Sequence, residues 1–476
     1  MPPDPSHLLP LIPKVDRLLA EVEAAMPECP RPILLDAVRA TLEDVRGRIG
    51  SGELTVLPDP VVIVEMVRAR AEASMLPGIR RCVNGAGVVL HTSLGRAPLA
   101  AAAQEALARV VSHYAMLALD AESGKRGDRL SSVEPLLRRL TGCEAAVVVN
   151  NNAAATLLIL NSLAEGKEVV ISRGELVEIG GSYRIPDVLQ RSGAILREVG
   201  TTNRTHPQDY RNAIGPGTGM LLKVHQSNYR IVGFTSDVPI AEIAAIAHAH
   251  GIPAIHDIGS GALIDLTTYG LPKEPVVQES LAAGADVVCF SGDKLLGGPQ
   301  CGIILGRHDL IARMKKNQLM RALRCDKMTL SVLEATLRLF LDKETLPRLH
   351  PVLHMLTQTE EELTERCTRL ADRLQPVLTG HAAVSVEPDS SEVGSGSMAG
   401  TVLPTRVVAV TPTATPCEDM SRRLRLLRVP IIGRIKEQRY ILDARTIRDD
   451  EIETVVEGFR EVFLRESGGE PERGLP

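Results

Sequence analysis

Between residues 145 and 290, short apolar runs alternate with helical patterns, and this alternation leaves few folds open. Residues 145–149, 168–171, 194–199, 220–224, 252–255 and 286–290 read as strands, and residues 153–164 and 240–250 as helices. Several of the runs are apolar at nearly every position. Such strands are buried on both faces, as in a parallel sheet covered by helices. The expected class is α/β with a mostly parallel central sheet. Ligands of such sheets gather at the carboxyl ends of the strands, so chemistry is sought in the residues that follow each run.

The run at 286–290 leads into Ser291-Gly-Asp-Lys294, in a turn bounded by glycine. A lysine held at a strand end suits covalent chemistry, because its amine forms a Schiff base with an aldehyde once its pKa is lowered. An ordinary turn lysine is the other reading of this segment alone. Ser291 is placed to give a hydroxyl to a phosphate. After the run at 145–149 come Asn150, Asn151, Asn152, Ala153 and Ala154. A strand entering a helix through such residues offers backbone N–H groups, and the helix dipole favours an anion there. A plain asparagine cap is the alternative. After the run at 252–255 comes Asp257, which is able to pair with a protonated ring nitrogen. Anion groove, aspartate and lysine together are the layout of a pyridoxal phosphate site. The group stacked on the ring is left open between His225 and the 175–178 segment. Arg321, Arg324 and Lys327 follow at helical spacing and either face one anion or form a solvated basic face. The lysine segment lacks the G-x-x-x-x-G-K-[ST] order of a nucleotide-binding loop.

The flanks read differently. Residues 1–78 are helical, with apolar spacing over 15–25 and 34–49 and a further helix after Pro58-Asp59-Pro60. Acidic side chains outnumber basic ones there, so charge alone points to packing rather than RNA binding. The catalytic α/β part spans 79–330. Residues 331–465 read as a small α+β domain: long helices over 331–341 and 352–374, a Gly/Ser-rich loop over 389–400, strands at 407–410 and 439–442, and helices at 418–427 and 450–465. Residues 466–476 read as a disordered tail. The net charge of -5 gives no sign of DNA affinity. Eight cysteines contain no C-x-x-C pair, and neither a signal peptide nor a membrane-length apolar run is visible. A reducing cytoplasm is the expected setting.

The chain resembles the bacterial selenocysteine synthases, the L-seryl-tRNA(Sec) selenium transferases, over nearly its whole length. The resemblance rests on Ser291-Gly-Asp-Lys-Leu-Leu-Gly-Gly-Pro-Gln, Val149-Asn-Asn-Asn-Ala-Ala-Ala, Arg173-Gly-Glu-Leu-Val-Glu-Ile-Gly-Gly-Ser-Tyr-Arg-Ile-Pro, Val199-Gly-Thr-Thr-Asn-Arg-Thr and His91-Thr-Ser-Leu-Gly-Arg, with Arg321-Ala-Leu-Arg-Cys-Asp-Lys-Met-Thr-Leu alongside. It implies a fold-type I pyridoxal 5'-phosphate transferase in which Lys294 carries the cofactor. It also implies an N-terminal tRNA-binding domain and a ring-shaped homodecamer of dimers, with active sites at a dimer interface. Arg96, Arg321 and Arg324 would bind the selenium-donor anion, selenophosphate. The segment 390–404 departs from the tighter glycine run, ending in Leu-Pro-Gly, that is usual in the family.

The implied reaction is a β-replacement on seryl-tRNA(Sec): the β-hydroxyl leaves, and selenium from selenophosphate takes its place. Two other readings remain at this point. One is a pyridoxal phosphate lyase or desulfurase acting on a free amino acid. The other is an RNA-binding scaffold that keeps the fold without the chemistry.

Overall fold

The computed structural model describes residues 5–394 and 396–467, and these divide into two compact units. One is formed by the chain up to Cys82 together with Leu426–Pro430, the other by Val83–Arg425 and the chain from Ile431.

The first unit is helical: α1 is Val15–Ala25, α2 is Arg31–Gly50 and α3 is Pro60–Met75. Proline opens α3, where a missing N–H costs nothing, and the Asp59 side chain caps it by accepting from Val61 N at 2.8 Å. Leu18, Val22, Leu34, Val38, Leu42, Ile63 and Val67 close its core.

The second unit is built on a seven-stranded sheet. Its strands are β1 Ala145–Val149, β2 Glu168–Ser172, β3 Ile195–Val199, β4 Thr218–Val224, β5 Ala254–Gly259, β6 Val287–Ser291 and β7 Gly302–Gly306. They lie in the order β1-β7-β6-β5-β4-β2-β3. Only β7 is reversed; it pairs antiparallel with both β1 and β6, and the remaining neighbours are parallel. All residues of β1, β6 and β7 are buried. The sequence reading identified six of these strands and missed β7. The lysine turn folds β7 straight back onto β6, with Gly292 N bonded to Cys301 O and Gly298 N to Gly292 O, both at 2.8 Å. A reversed neighbour needs only such a short connection, so no helix announces it.

The sheet orders the site by putting the starts of its connections along one edge. From β1 the chain enters helix α4, Asn152–Ala164, with Asn151 as its cap. Further on come α5, Leu319–Leu323, and α6, Lys327–Leu339. Arg324 stands between them in extended backbone, so Arg321, Arg324 and Lys327 do not share one helix face. Lys327 Nζ instead donates to His113 O at 2.6 Å.

The C-terminal part carries an antiparallel sheet ordered β8-β9-β11-β10: β8 Ala382–Glu392, β9 Val402–Pro412, β10 Arg434–Lys436 and β11 Arg439–Asp443. Two expectations change here. The helix read over 352–374 is two helices, α7 Pro351–Thr357 and α8 Glu360–Leu378. Thr359 breaks it with a capping box, accepting from Glu362 N at 3.2 Å while Glu362 Oε2 accepts from Thr359 N at 2.8 Å. The expected 389–400 loop is strand as far as Glu392, because Asp389 to Glu392 pair with Thr405 to Val402. The final helix, α9, is Ile452–Ser467. The expected tail lies outside the described residues from position 468 onward.

Candidate active site

Asp257 lies at the carboxyl end of β5 and is 5% exposed. Three donors converge on it. Asn152 Nδ2 donates to Oδ1 at 2.9 Å, Gly259 N to Oδ1 at 3.1 Å, and Thr156 Oγ1 to Oδ2 at 3.0 Å. Burial raises its pKa, and these hydrogen bonds, with the charge of Lys294, pull the other way. Asn152 and Thr156, one turn apart on α4, therefore orient the carboxylate.

Lys294 follows β6 and is 5% exposed. Its pKa is lowered, first by burial and next by the like charge of Arg96, against the opposing pull of Asp257, Asp293 and Glu274. A desolvated amine of this kind is a better nucleophile and base at neutral pH than a surface lysine. The turn is pinned from below by His350. Its Nδ1 accepts from Leu353 N at 3.0 Å, so Nε2 carries the proton and donates to Leu296 O at 2.8 Å. Gly297, with φ +66°, leaves room for that ring.

The groups expected at the anion end also lie at this edge. Asn151 Oδ1 accepts from Ala154 N at 2.8 Å, which makes it the cap of α4 and leaves the Asn152 and Ala153 amides unused by that cap. A groove of about 380 Å³ opens here, lined by Asn150, Asn151, Ala153 and Ala154 on one side and by Ser182, Tyr183, Arg184 and Arg191 on the other. Ser291 is buried at the end of β6. His225 follows β4; its backbone N donates to Asp257 O at 2.8 Å, and its Nε2 lies 3.3 Å from Glu274 Oε2.

Of the three arginines, Arg96 is tied to the lysine turn by an ion pair from Nη1 to Asp293 Oδ2 at 2.6 Å. Arg96 has φ +62°, uncommon for a side chain of its size. Arg321 and Arg324 sit near the end of β1, where Arg324 bridges Val149 and Asn150 N bonds Leu323 O at 2.9 Å. The pKa of Arg324 is lowered by the charges of Arg321, Arg129 and Arg126. Like charges gathered in this way suit an anion.

Sequence reasoning missed Glu274, Thr156, Asp293 and His350 as members of the site, as well as Arg126 and Arg129. Asp293 had a signal, since it adjoins Lys294. Glu274 and His350 had none, because only the tertiary fold carries them to the lysine turn.

A pyridoxal phosphate group fits this donor set. Asp257 supplies a buried carboxylate for a ring nitrogen, a helix start supplies amides for a phosphate, and Lys294 supplies a buried amine as nucleophile. Asn152 Oδ1 is buried without a hydrogen-bond partner. No cluster of metal-ligating side chains occurs among the described residues.

Comparisons with known proteins agree. A family model described as L-seryl-tRNA selenium transferase matches residues 82–448, and one described as selenocysteine synthase N terminal matches residues 11–46. An L-seryl-tRNA(Sec) selenium transferase of Desulfomicrobium baculatum is 49% identical over 97% of this chain and 100% of its own length. That of Geobacter sulfurreducens is 49% identical over 95% of this chain and 98% of its own. In fold, the chain is similar to a solved D-glucosaminate-6-phosphate ammonia-lyase (TM-score 0.57, 21% identity), over 82% of this chain and 97% of that one. The chain belongs to the L-seryl-tRNA selenium transferase family, and is a pyridoxal phosphate enzyme that converts seryl-tRNA(Sec) to selenocysteyl-tRNA(Sec).

Proposed function

We propose that Lys294 is the residue that carries the cofactor and moves protons, and that selenophosphate is the selenium donor. The observation that supports this most directly is the pair of buried groups at adjacent strand ends, Asp257 with its three donors and the depressed amine of Lys294. When bound, pyridoxal phosphate withdraws electrons from the seryl Cα and so makes its proton removable. Asp257, fixed by Asn152 and Thr156, keeps the ring nitrogen protonated. The Asn152, Ala153 and Ala154 segment, with the Ser291 hydroxyl, would hold the phosphate at the start of α4. His225, after β4, would help hold the cofactor.

Lys294 Nζ takes the seryl Cα proton and returns a proton to the departing β-hydroxyl. Arg96, Arg321 and Arg324 hold the donor anion, since guanidinium groups bind phosphate oxygens in pairs. As selenium bonds to the seryl Cβ, Cα regains a proton, and the Se–P bond breaks with its phosphoryl group passing to water. In the net reaction, seryl-tRNA(Sec) and selenophosphate become selenocysteyl-tRNA(Sec) and phosphate.

Residues 1–78 serve as the tRNA-binding part, 79–330 as the catalytic part and 331–465 as the small domain. The chains assemble as dimers within a homodecamer, in the cytoplasm. Exposed apolar side chains support self-association: Val111, Tyr114, Met116 and Leu119 in one segment, Val232 and Phe234 in another. No helix among the described residues is long and apolar enough to cross a membrane.

The test is turnover of purified protein with seryl-tRNA(Sec) and selenophosphate. Selenocysteyl-tRNA(Sec) is the expected product, and Lys294→Ala should lower its formation by about 10²-fold or more. Product from free serine but none from the charged tRNA would overturn the reading.

A further inference from the structure

We propose that Glu274 is a positioning residue that latches residues 396–401 beside Lys294. The inference rests on the reading of Lys294 as the reactive lysine.

Glu274 is 5% exposed, and its carboxylate gathers three segments that are distant in sequence. Oε2 accepts from Ser260 Oγ at 3.1 Å, in the turn after β5, and lies 3.3 Å from His225 Nε2, after β4. Oε1 accepts from Met398 N at 2.9 Å, in the loop that joins β8 to β9. A backbone N–H bonded to a buried carboxylate is a strong, directional contact.

The loop needs such an anchor. Met398 has φ +51°, a left-handed conformation that costs a side-chain-bearing residue on the order of 1 kcal/mol. Its side chain is 1% exposed, so the strained residue is also a buried one. Two positions away, Gly396 (φ +86°) lies so close to the lysine that a Cβ there would stand 2.7 Å from Lys294 Nζ. At its other end the loop is held by Leu90 N, which donates to Val393 O at 2.7 Å. The main chain at Gly396 thus forms a wall against the reactive amine. Without Glu274 the strained end loses its acceptor, and the wall beside Lys294 is free to move.

Glu274 thus acts through the loop and through His225 rather than on the substrate. Two variants grade the effect. Glu274→Ala removes every acceptor, whereas Glu274→Gln keeps a carbonyl oxygen for Met398 N. Hydrogen–deuterium exchange of the holoenzyme should show amides 396–400 exchanging at least about tenfold faster in the alanine variant, with the glutamine variant in between. The kcat should fall at least about tenfold in the alanine variant, with KM for seryl-tRNA(Sec) changed less than about threefold. The glutamine variant should recover part of that loss.

Wild-type exchange at 396–400 in Glu274→Ala overturns the latch. So does an equal kcat loss in both variants with unchanged exchange. If the alanine variant does not fold, the glutamine variant alone decides by whether its loop exchange rises. Borohydride reduction of the wild-type holoenzyme, followed by peptide mapping, separates this from the parent reading. A cofactor label on a residue other than Lys294 refutes the role of the lysine, whereas a label on Lys294 leaves the exchange data to judge Glu274.

Discussion

At the scale of single residues, the site depends on keeping charges out of water and in the right state. Asp257→Asn preserves shape but removes the charge that would hold a ring nitrogen protonated. Turnover should fall by about 10²-fold or more, with a shifted absorbance spectrum of the bound cofactor and little change in melting temperature. His256, next in the chain, obeys the opposite rule. Burial first, then the charges of Lys223 and His225, hold its pKa down to about 3. Its folded pKa lies below the unfolded value near 6.5, so its neutral form contributes full stability above that pH. The contribution is lost as pH falls from about 6.5 toward 3, at roughly 1.4 kcal/mol per unit. Melting curves between pH 7 and pH 5 should show that decline, and His256→Asn should flatten it. Lys294 and Asp257 were legible in the sequence because a strand ends just before or at each of them. Glu274 was not, since its partners Ser260, His225 and Met398 come from three separate segments.

At the scale of elements, the parallel strands were legible because each is an apolar run followed by polar residues. The expected bounds of β1, 145–149, match the observed strand. Strand β7 was hidden by its neighbour: five residues that begin and end with glycine, folded directly onto the lysine turn. Its first residue has a physical reason to be glycine. A Cβ on Gly302 would collide with the carbonyl of Asn151, the residue that caps α4. Gly302→Ala should therefore destabilise the fold by about 1–3 kcal/mol and loosen cofactor binding, read by thermal melting and by titration of the stripped enzyme with cofactor. The break between α7 and α8 had a legible signal, the Thr359-Glu-Glu-Glu362 capping box, which the run of helical periodicity around it outweighed.

At the scale of the whole molecule, the helical unit and the catalytic unit have separate cores, Leu18 to Ala71 in one and the sheet in the other. If residues 1–78 serve the tRNA, a chain lacking them should retain cofactor absorbance and lose turnover of seryl-tRNA(Sec), measured on the same preparation. Charge and periodicity say nothing of assembly, because a surface able to meet another copy looks like any other surface with a few apolar side chains. The reversed strand has a consequence at this scale. It sets the start of α4 and the lysine turn two strand spacings apart, about 10 Å. That span is set by main-chain hydrogen bonds on both sides of β7. Side chains around the site can drift and alter what is bound or how fast it reacts, but none of them resets the length of the gauge. If α4 holds the phosphate and Lys294 the other end, the backbone measures the cofactor.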